Sequence, residues 1–234
     1  MTGDAGGTHR EDAACSFLFG KKSREKARPM RYDGEESEAM KMKRILETGR
    51  LMLREMTPDD FDALFAVLAD SDIMQHYPYA FDEARVRGWI ERDMERYRKD
   101  GFGLWAVILK ETGEMIGDCG LTLQSIEAKL LPEIGYHIRR GCQRRGYAGE
   151  AGRAVRDWAF EHTAYDCLYS YMKYTNVPSY STAMAVGMKK IKQYPDALNG
   201  ITFVFGISRG GMAAAEGQAG TRRARRTMME KKAR

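Results

Sequence analysis

A short run rich in arginine and glycine carries the clearest chemical signal in the sequence. Residues 143–148 read QRRGYA, after a strand-like segment and before an amphipathic helical one. The first N–H groups of a helix lack intrahelical partners and the helix dipole is positive there, so such a turn can bind a pyrophosphate. Gly146 permits close backbone approach or a positive φ. Positive charge is added by Arg139, Arg140, Arg144 and Arg145.

Taken alone, this run also suits a plain structural turn that contains a glycine. Motifs for several other kinds of chemistry are absent from the sequence. The four histidines form no HExxH motif, and none pairs with a cysteine at metal-ligand spacing. The P-loop pattern GxxxxGK[ST] and the dinucleotide pattern GxGxxG are absent as well. We therefore expect no metal site.

The segments before this turn alternate between strand and helix patterns. Residues 50–56 alternate apolar and polar side chains, which is typical of a strand. Thr57, followed by Pro58 and two aspartates, is typical of a helix start, and a second helix is expected from about Asp82. Further strands are predicted over residues 101–110, 115–124 and 133–138, the first two joined by a tight hairpin.

The segments after the turn continue this alternation. A helix is predicted over residues 148–162, a strand over 167–174 and a short helix over 178–186. Two final strands, near 190–194 and 201–207, are joined by a loop that contains Asn199 and Gly200. The order β-α-α-β-β-β-α-β-α-β-β predicts one domain of the α/β (α+β) class, a mixed sheet with helices packed on it.

Charge separates the two ends of the chain from the middle. The net charge is +5, but residues 208–234 alone carry eight Lys or Arg against two Glu. We expect a disordered N-terminal extension over residues 1–44, a domain over 45–208 and a basic disordered tail over 209–234. Nucleic acid would therefore bind only through the C-terminal tail. No apolar run approaches the ~18 residues of a membrane span and no secretory signal is present, so we expect a cytoplasmic protein without membrane contact.

A second pattern follows the turn by about 30 residues: Asn176, Ser179, then Gly187 and Met188. With residues 133–136 (EIGY) and 143–148, this pattern resembles the GNAT acetyltransferase superfamily, and most closely its RimJ/RimL-type branch, over about residues 45–208. The resemblance implies a mixed, mostly antiparallel central sheet with helices on both faces.

The resemblance also implies acetyl-CoA as co-substrate, lying in a V between the predicted strands 133–138 and 167–174, with no metal. The backbone around Ile138 would bind the pantetheine amides, and Asn176 would contact the pantetheine arm, with Ser179 beside it. Gln143 opens the cofactor loop. The N–H groups that would hold the pyrophosphate are those of Arg144, Arg145, Gly146, Tyr147, Ala148 and Gly149.

The implied reaction is N-acetyl transfer to a primary amine, by direct attack within a ternary complex. Glu133 is the candidate general base, because the family often places its base on this strand; the alternative is an ordinary surface or ion-paired strand residue. Many family members carry a tyrosine acid seven residues after the Asn, where this chain has Ala183. Ser179, Tyr180 or a water would have to replace it. A backbone N–H near Ile138 would stabilise the oxyanion.

The acceptor would be a peptide N-terminal amine or a small-molecule amine, and the sequence does not choose between them. It would lie near residues 71–82, which include His76, Tyr77 and Tyr79, and near residues 195–200. Two other functions stay open: a non-catalytic protein that binds acetyl-CoA, and an RNA- or ribosome-associated protein that uses the basic tail. Oligomeric state is left open.

Overall fold

The structure, a computed structural model, describes residues 44–79 and 81–211. The expectations for residues 1–44 and 209–234 fall almost entirely outside these ranges. The two boundary residues differ from the prediction, because Arg44 begins the first strand and Arg209 belongs to the fold. The Arg209 guanidinium donates to the carbonyl oxygens of Thr163 and Tyr165, each at 3.0 Å.

The chain forms eight strands and four α-helices, with short 3-10 turns at Pro58–Asp60 and Arg140–Cys142, within the described residues. In order they are β1 Arg44–Glu47, β2 Leu51–Arg54, α1 Phe61–Leu68, α2 Glu83–Asp100, β3 Leu104–Leu109, β4 Met115–Ile126, β5 Lys129–Ile138, α3 Tyr147–His162, β6 Cys167–Lys173, α4 Val177–Val186, β7 Lys189–Asp196 and β8 Gly200–Ser208. The sequence predicted all of these except β1, whose four residues are too few to show an alternating pattern. No helix among the described residues is long and apolar enough to cross a membrane.

The helix ends follow the local signals in the sequence. Asp82 caps α2 by accepting a hydrogen bond from the backbone N–H of Arg85 at 2.8 Å, and Gly101 ends the helix in the left-handed region at φ 81°. Gly146 and Gly187 adopt the same left-handed conformation at the start of α3 and the end of α4. These glycines fix where the helices begin and end beside the sheet.

All eight strands form one sheet in the order β1-β2-β3-β4-β5-β6-β8-β7. Neighbouring strands are antiparallel except β5 and β6, which are parallel. Helices α1 and α2 cover one face, over a core that includes Leu64, Ile90 and Ile108, and α3 and α4 cover the other, over a core that includes Trp105 and Val155. This confirms the predicted mixed, mostly antiparallel sheet with helices on both faces.

The sheet is split between its fifth and sixth strands. β5 and β6 share a single paired position, Glu133 with Tyr169, although β5 stays paired with β4 as far as Ile138 and β6 stays paired with β8 throughout. Beyond Glu133, on the side of the start of α3, no residue of β5 pairs with β6. We call this unpaired region the β5–β6 opening.

Candidate functional site

The turn between β5 and α3 presents a run of backbone donors. Arg144 and Gly146 both have positive φ, at 58° and 82°, and no side chain caps α3. The N–H of Glu150 bonds to the Gly146 carbonyl at 3.0 Å and begins the helical ladder. Within the described part of the chain, residues 144 to 149 show no acceptor for their N–H groups. Successive free N–H groups at a left-handed turn and a helix start form an anion-binding concavity.

Gln143 and Ile138 hold this turn against β5. The side-chain amide of Gln143 donates to the Ile138 carbonyl oxygen at 2.9 Å. Ile138 is in turn the last residue of β5 that pairs with β4, opposite Gly117. The Gln143 side chain is therefore engaged in shaping the turn.

Arg50 holds the turn from the other side, a role that the sequence did not reveal. Its Nη1 donates to the Arg145 carbonyl oxygen at 3.0 Å, and its guanidinium lies 4.5 Å from the centre of the Tyr147 ring. Glu150 accepts from Arg50 Nε at 2.7 Å and from the Arg50 backbone N–H at 3.0 Å. Hydrogen bonds from Thr48 and Arg50 outweigh the effect of burial and lower the pKa of Glu150, so it stays charged beside Arg50.

Two of the four arginines expected to supply positive charge are already paired. Arg139 Nη2 lies 3.1 Å from a Glu114 oxygen, and Arg140 donates to both oxygens of Asp70. The prediction that all four arginines add charge at one place is thus wrong for these two. The guanidinium groups of the other two, Arg144 and Arg145, form no ion pair with any residue that the structure describes.

Glu133 lies where β5 and β6 begin to separate. Its carboxylate accepts a hydrogen bond from the backbone N–H of Tyr171, so the side chain reaches β6 where the strands no longer pair. Burial raises the pKa of Glu133 to about 8, although this hydrogen bond and the electrostatic interactions with His137, in its protonated form, and with Arg96 oppose the rise. A carboxyl group with a pKa near neutrality suits proton transfer.

Asn176 and Ser179 meet at the start of α4. The Asn176 side-chain oxygen accepts from the Ser179 N–H at 3.2 Å and so caps the helix. The Tyr136 hydroxyl donates to the Ser179 carbonyl oxygen at 2.8 Å and lies 3.4 Å from its Oγ. Burial raises the pKa of Tyr136 to about 12, so this hydroxyl keeps its proton. Tyr136 therefore links β5 to α4 and places a second O–H beside Ser179.

The two other positions considered for an acid are engaged in packing. Ala183 is completely buried in the core. Tyr180 stacks on Phe205, with ring centres 6.3 Å apart. The hydroxyl closest to Tyr136 is therefore that of Ser179, and Tyr180 and Ala183 add no second one in these contacts.

A chain of hydrogen bonds on the α1–α2 face was missed from the sequence. His137 Nδ1 lies 2.7 Å from Asp118 Oδ1, and His137 Nε2 lies 2.8 Å from the Tyr77 hydroxyl. Trp89 Nε1 donates to the other Asp118 oxygen at 3.1 Å. The contact between His137 and Asp118 has one signal in the sequence. A two-residue turn after Ile126 sets the register of β4 against β5, and this register puts Asp118 opposite His137. The contact with Tyr77, 60 residues away, had no such signal.

Among the described residues, no group of three or more His, Cys, Asp or Glu is arranged to hold a metal ion. The geometry instead combines an anion-binding turn, a split sheet and a carboxyl group with a pKa near 8. These features suit an enzyme that holds a phosphate-bearing donor at the turn and moves a proton at the opening.

Comparison with known proteins defines the class. The family model described as "Acetyltransferase (GNAT) domain" matches residues 50–189, more than half of the chain. The chain belongs to the GNAT acetyltransferase family and is an acyltransferase. The matched region contains the anion-binding turn, the β5–β6 opening and the Tyr77–His137–Asp118 contacts.

Relatives support the same assignment. The uncharacterised protein YkkB of Bacillus subtilis is 34% identical over 150 residues, which cover 64% of this chain and 87% of YkkB. An acetyltransferase structure from Agrobacterium tumefaciens has 28% identity and a TM-score of 0.60, covering 75% of this chain and all of that one. A structure of RimL, a ribosomal-protein α-N-acetyltransferase, in complex with coenzyme A has 17% identity and a TM-score of 0.60, covering 71% and 98% of the two chains.

Proposed function

We propose that the protein transfers the acetyl group of acetyl-CoA to a primary amine by direct attack within a ternary complex. The observation that carries this proposal is the row of free N–H groups from Arg144 to Gly149 beside the β5–β6 opening. A pyrophosphate at the turn would accept these hydrogen bonds, and Arg144 and Arg145 would add charge. The coenzyme A bound in the RimL structure supports this choice of donor.

The rest of the donor would lie in the β5–β6 opening. The strands separate after Glu133, so backbone groups of β5 as far as Ile138 face no partner on β6. These groups would bind the pantetheine amides, with Asn176 at the far wall. A backbone N–H of β5 would stabilise the oxyanion that forms on the thioester carbon.

Glu133 would act as the general base. An amine is mostly protonated at neutral pH and must lose a proton before it attacks the thioester. Because burial raises the pKa of Glu133 to about 8, its ionised fraction, and with it the rate, should rise as the pH approaches 8. The CoA thiolate would receive its proton from the O–H groups of Ser179 and Tyr136, which the amine nitrogen then replenishes.

We propose a peptide N-terminus or a small-molecule amine as acceptor, within a RimJ/RimL-type branch. The RimL neighbour is named for a protein α-amine and supports the first choice. We also propose that the fold from Arg44 to Arg209 is the complete acetyltransferase domain, with the residues on either side as extensions.

The first test is thermal unfolding with and without acetyl-CoA, with ATP and NAD as control ligands. A ligand at ~1,000 times its dissociation constant stabilises the fold by about 4 kcal/mol, so a clear rise in Tm with acetyl-CoA alone is expected. Arg144→Glu with Arg145→Glu should reduce this rise, while Arg98→Glu with Lys99→Glu, an equal charge reversal at the end of α2, should not. If the protein is folded and its Tm does not change when acetyl-CoA is added, the assignment of acetyl-CoA as donor is contradicted.

The second test measures turnover of the acetyl-transfer reaction. Thiol release from acetyl-CoA is measured with an N-terminal alanine peptide and with spermidine. Glu133→Gln should lower turnover by about 100-fold at pH 8 and keep the acetyl-CoA Tm shift, because one general base contributes 10²–10⁴. Equal loss of turnover and of acetyl-CoA binding would remove Glu133 from the role of base.

A further inference from the structure

The orientation of His137 follows from the atoms around it. Asp118 is fully buried and accepts from Trp89 Nε1 and His137 Nδ1 at its two oxygens. A carboxylate only accepts hydrogen bonds, so in the neutral form of His137 the proton is on Nδ1 and Nε2 presents its lone pair. In that form Tyr77 donates its O–H to Nε2 at 2.8 Å, which leaves the lone pairs of its oxygen directed away from His137.

This hydrogen-bonded chain and Glu133 lie on the same face of the sheet. Side chains alternate along a strand, so Glu133 and His137, four residues apart on β5, point to the face covered by α1 and α2. Tyr77 lies in the loop between α1 and α2, which the sequence assigned to the acceptor, and 37% of the residue is exposed. The chain therefore runs from a solvent-accessible loop residue to a buried carboxylate.

The aromatic surroundings keep the chain in place. The His137 ring lies between Trp89 and Tyr77, with ring centres 5.6 Å and 5.7 Å away. Tyr77 also meets Phe81 edge to face at 5.7 Å. Such packing fixes the imidazole, so a proton can move along it without a change of rotamer.

We propose that the Tyr77–His137–Asp118 chain is a second acceptor for the proton of the substrate amine, independent of Glu133. This inference rests on the proposed function. An N–H bond of the substrate ammonium breaks, its electron pair stays on nitrogen, and the proton bonds to the Tyr77 oxygen. The Tyr77 proton passes to His137 Nε2. The product of the step is a free amine and an imidazolium stabilised by the Asp118 carboxylate.

The acetyl-transfer step that follows conserves both protons and electron pairs. The amine nitrogen attacks the acetyl carbonyl, a C–N bond forms and the C–S bond breaks with its electron pair on sulfur. The nitrogen gives up its second proton, which reaches the thiolate through Ser179 and Tyr136. After the product leaves, His137 Nε2 returns its proton to Tyr77 and Tyr77 releases one to solvent. One proton thus ends on CoA and one in solution.

Charged neighbours set the pH range of this step. Burial alone would lower the pKa of His137, but the Asp118 carboxylate, with Glu133 and Asp93, outweighs it and the pKa is raised. Burial, Glu133 and Asp118 raise the pKa of Tyr77, so it carries the proton without ionising first. The titratable and charged groups around the chain are Glu133, Asp93, Arg96, Tyr79 and Tyr171.

The two proton acceptors work in parallel, so loss of one leaves the other. The Glu133 carboxylate becomes available as the pH approaches 8, and His137 accepts a proton only in its neutral form, whose pKa is raised mainly by Asp118. Removal of Glu133 therefore leaves the rate that the chain alone supports, and that rate falls as His137 becomes protonated. A residue that only anchored the acceptor loop would instead change KM alike at all pH values.

The test is the pH dependence of kcat/KM from pH 6 to 9, with saturating acetyl-CoA and the alanine peptide or spermidine as acceptor. In the Glu133→Gln background, where the chain is the acceptor that remains, His137→Gln and Tyr77→Phe should each lower the residual kcat/KM by about 100-fold, whereas in the wild type each should cost much less. Asp118→Asn should move the low-pH limb to lower pH, because the carboxylate that raises the pKa of His137 is gone. Matched controls are His162→Gln and Tyr165→Phe, which lie outside the proposed site and should change neither rate nor profile.

The acetyl-CoA Tm shift, measured on every variant, shows that the fold and donor site persist. A Glu133→Gln protein whose residual rate and pH profile are unchanged by Tyr77→Phe and by His137→Gln overturns the proton chain alone. A wild type that binds acetyl-CoA and acetylates neither amine overturns the proposed function, and the chain with it.

Discussion

The guanidinium of Arg140 holds the carboxylate of Asp70 through two nitrogens, with Nε 3.0 Å from Oδ2 and Nη2 2.5 Å from Oδ1. Arg140 also pairs with Asp72. Hydrogen bonding from Arg140 lowers the pKa of Asp70, so the pair stays ionised at neutral pH. This contact joins the loop after α1 to the 3-10 turn that precedes the anion-binding turn. The proposed acceptor and donor sites are thus tied together at the surface.

Arg140→Ala should loosen the acceptor loop. Arg140 is exposed, so the loss of unfolding free energy should be small. The expected change is faster amide hydrogen exchange in residues 70–77 and a higher KM for the amine, with an unchanged acetyl-CoA Tm shift. Arg98→Ala, which removes an exposed ion pair with Glu95 on α2, is the control. If both variants exchange like the wild type, the loop does not depend on this contact.

Arg50→Ala should weaken acetyl-CoA binding without touching the cofactor directly. Arg50 fixes the Arg145 carbonyl and covers the Tyr147 ring, so its loss frees the turn to sample other conformations. We expect the dissociation constant of acetyl-CoA, measured by calorimetry, to rise about tenfold, equal to about 1.4 kcal/mol. Arg44→Ala on the neighbouring strand β1 should leave the constant unchanged. An Arg50→Ala variant with wild-type affinity would show that the turn is rigid without it.

Glu133→Gln should make the protein more stable at high pH. The pKa of Glu133 rises from 4.5 in the unfolded chain to about 8 in the fold, so its contribution to stability is complete below pH 4.5 and is lost as the pH rises through 8. The variant removes this loss. Because the side chain is partly exposed, we expect a gain of about 1–2 kcal/mol at pH 8.5 and none at pH 4, from urea unfolding. A constant difference at both pH values would contradict the raised pKa.

Asp93 should also make the free energy of unfolding depend on pH, because burial raises the pKa of this carboxyl group as it does that of Glu133. It is fully buried, one of its oxygens has no hydrogen-bond partner among the described residues, and burial raises its pKa from 3.8 to about 6. Its stabilising contribution is therefore present below pH 3.8 and lost as the pH passes 6.

Asp93→Asn should keep the hydrogen bond from the Leu104 N–H and remove the buried charge. We expect the variant to gain about 1–2 kcal/mol over the wild type at pH 8, and nothing at pH 4. Asp157→Asn, an exposed change on α3, is the control. A variant less stable than the wild type at pH 8 would mean that the Arg96 ion pair outweighs the cost of burial.

Local sequence signals predicted most of the fold because they act over a few residues. The capping residue Asp82, the left-handed glycine at 146 and the amphipathic pattern of α3 each indicate their element directly. The turn before α3 was predicted for the same reason. β1 was missed because four residues at a sheet edge have no period to detect.

Long-range side-chain contacts could not be predicted in this way. Arg50 meets Arg145 across 95 residues, and Arg140 meets Asp70 across 70. No periodic pattern in the sequence indicates which arginine forms an ion pair with a carboxylate and which remains able to bind a ligand. The same holds for Tyr77 and His137, which only the folded loop brings together.

The single paired position between β5 and β6 has a mechanical consequence. Elsewhere, bending the sheet would distort several hydrogen-bonded positions between neighbouring strands, whereas between β5 and β6 it distorts one. The lowest-energy collective motion should therefore open and close the two parts of the sheet about Glu133 and Tyr169. In such a motion, the displacement of an atom increases with its distance from the Glu133–Tyr169 pair. The walls of the opening near Ile138 would therefore swing widest to admit a long flexible molecule, while the carboxyl group of Glu133, at the point of least movement, keeps its place.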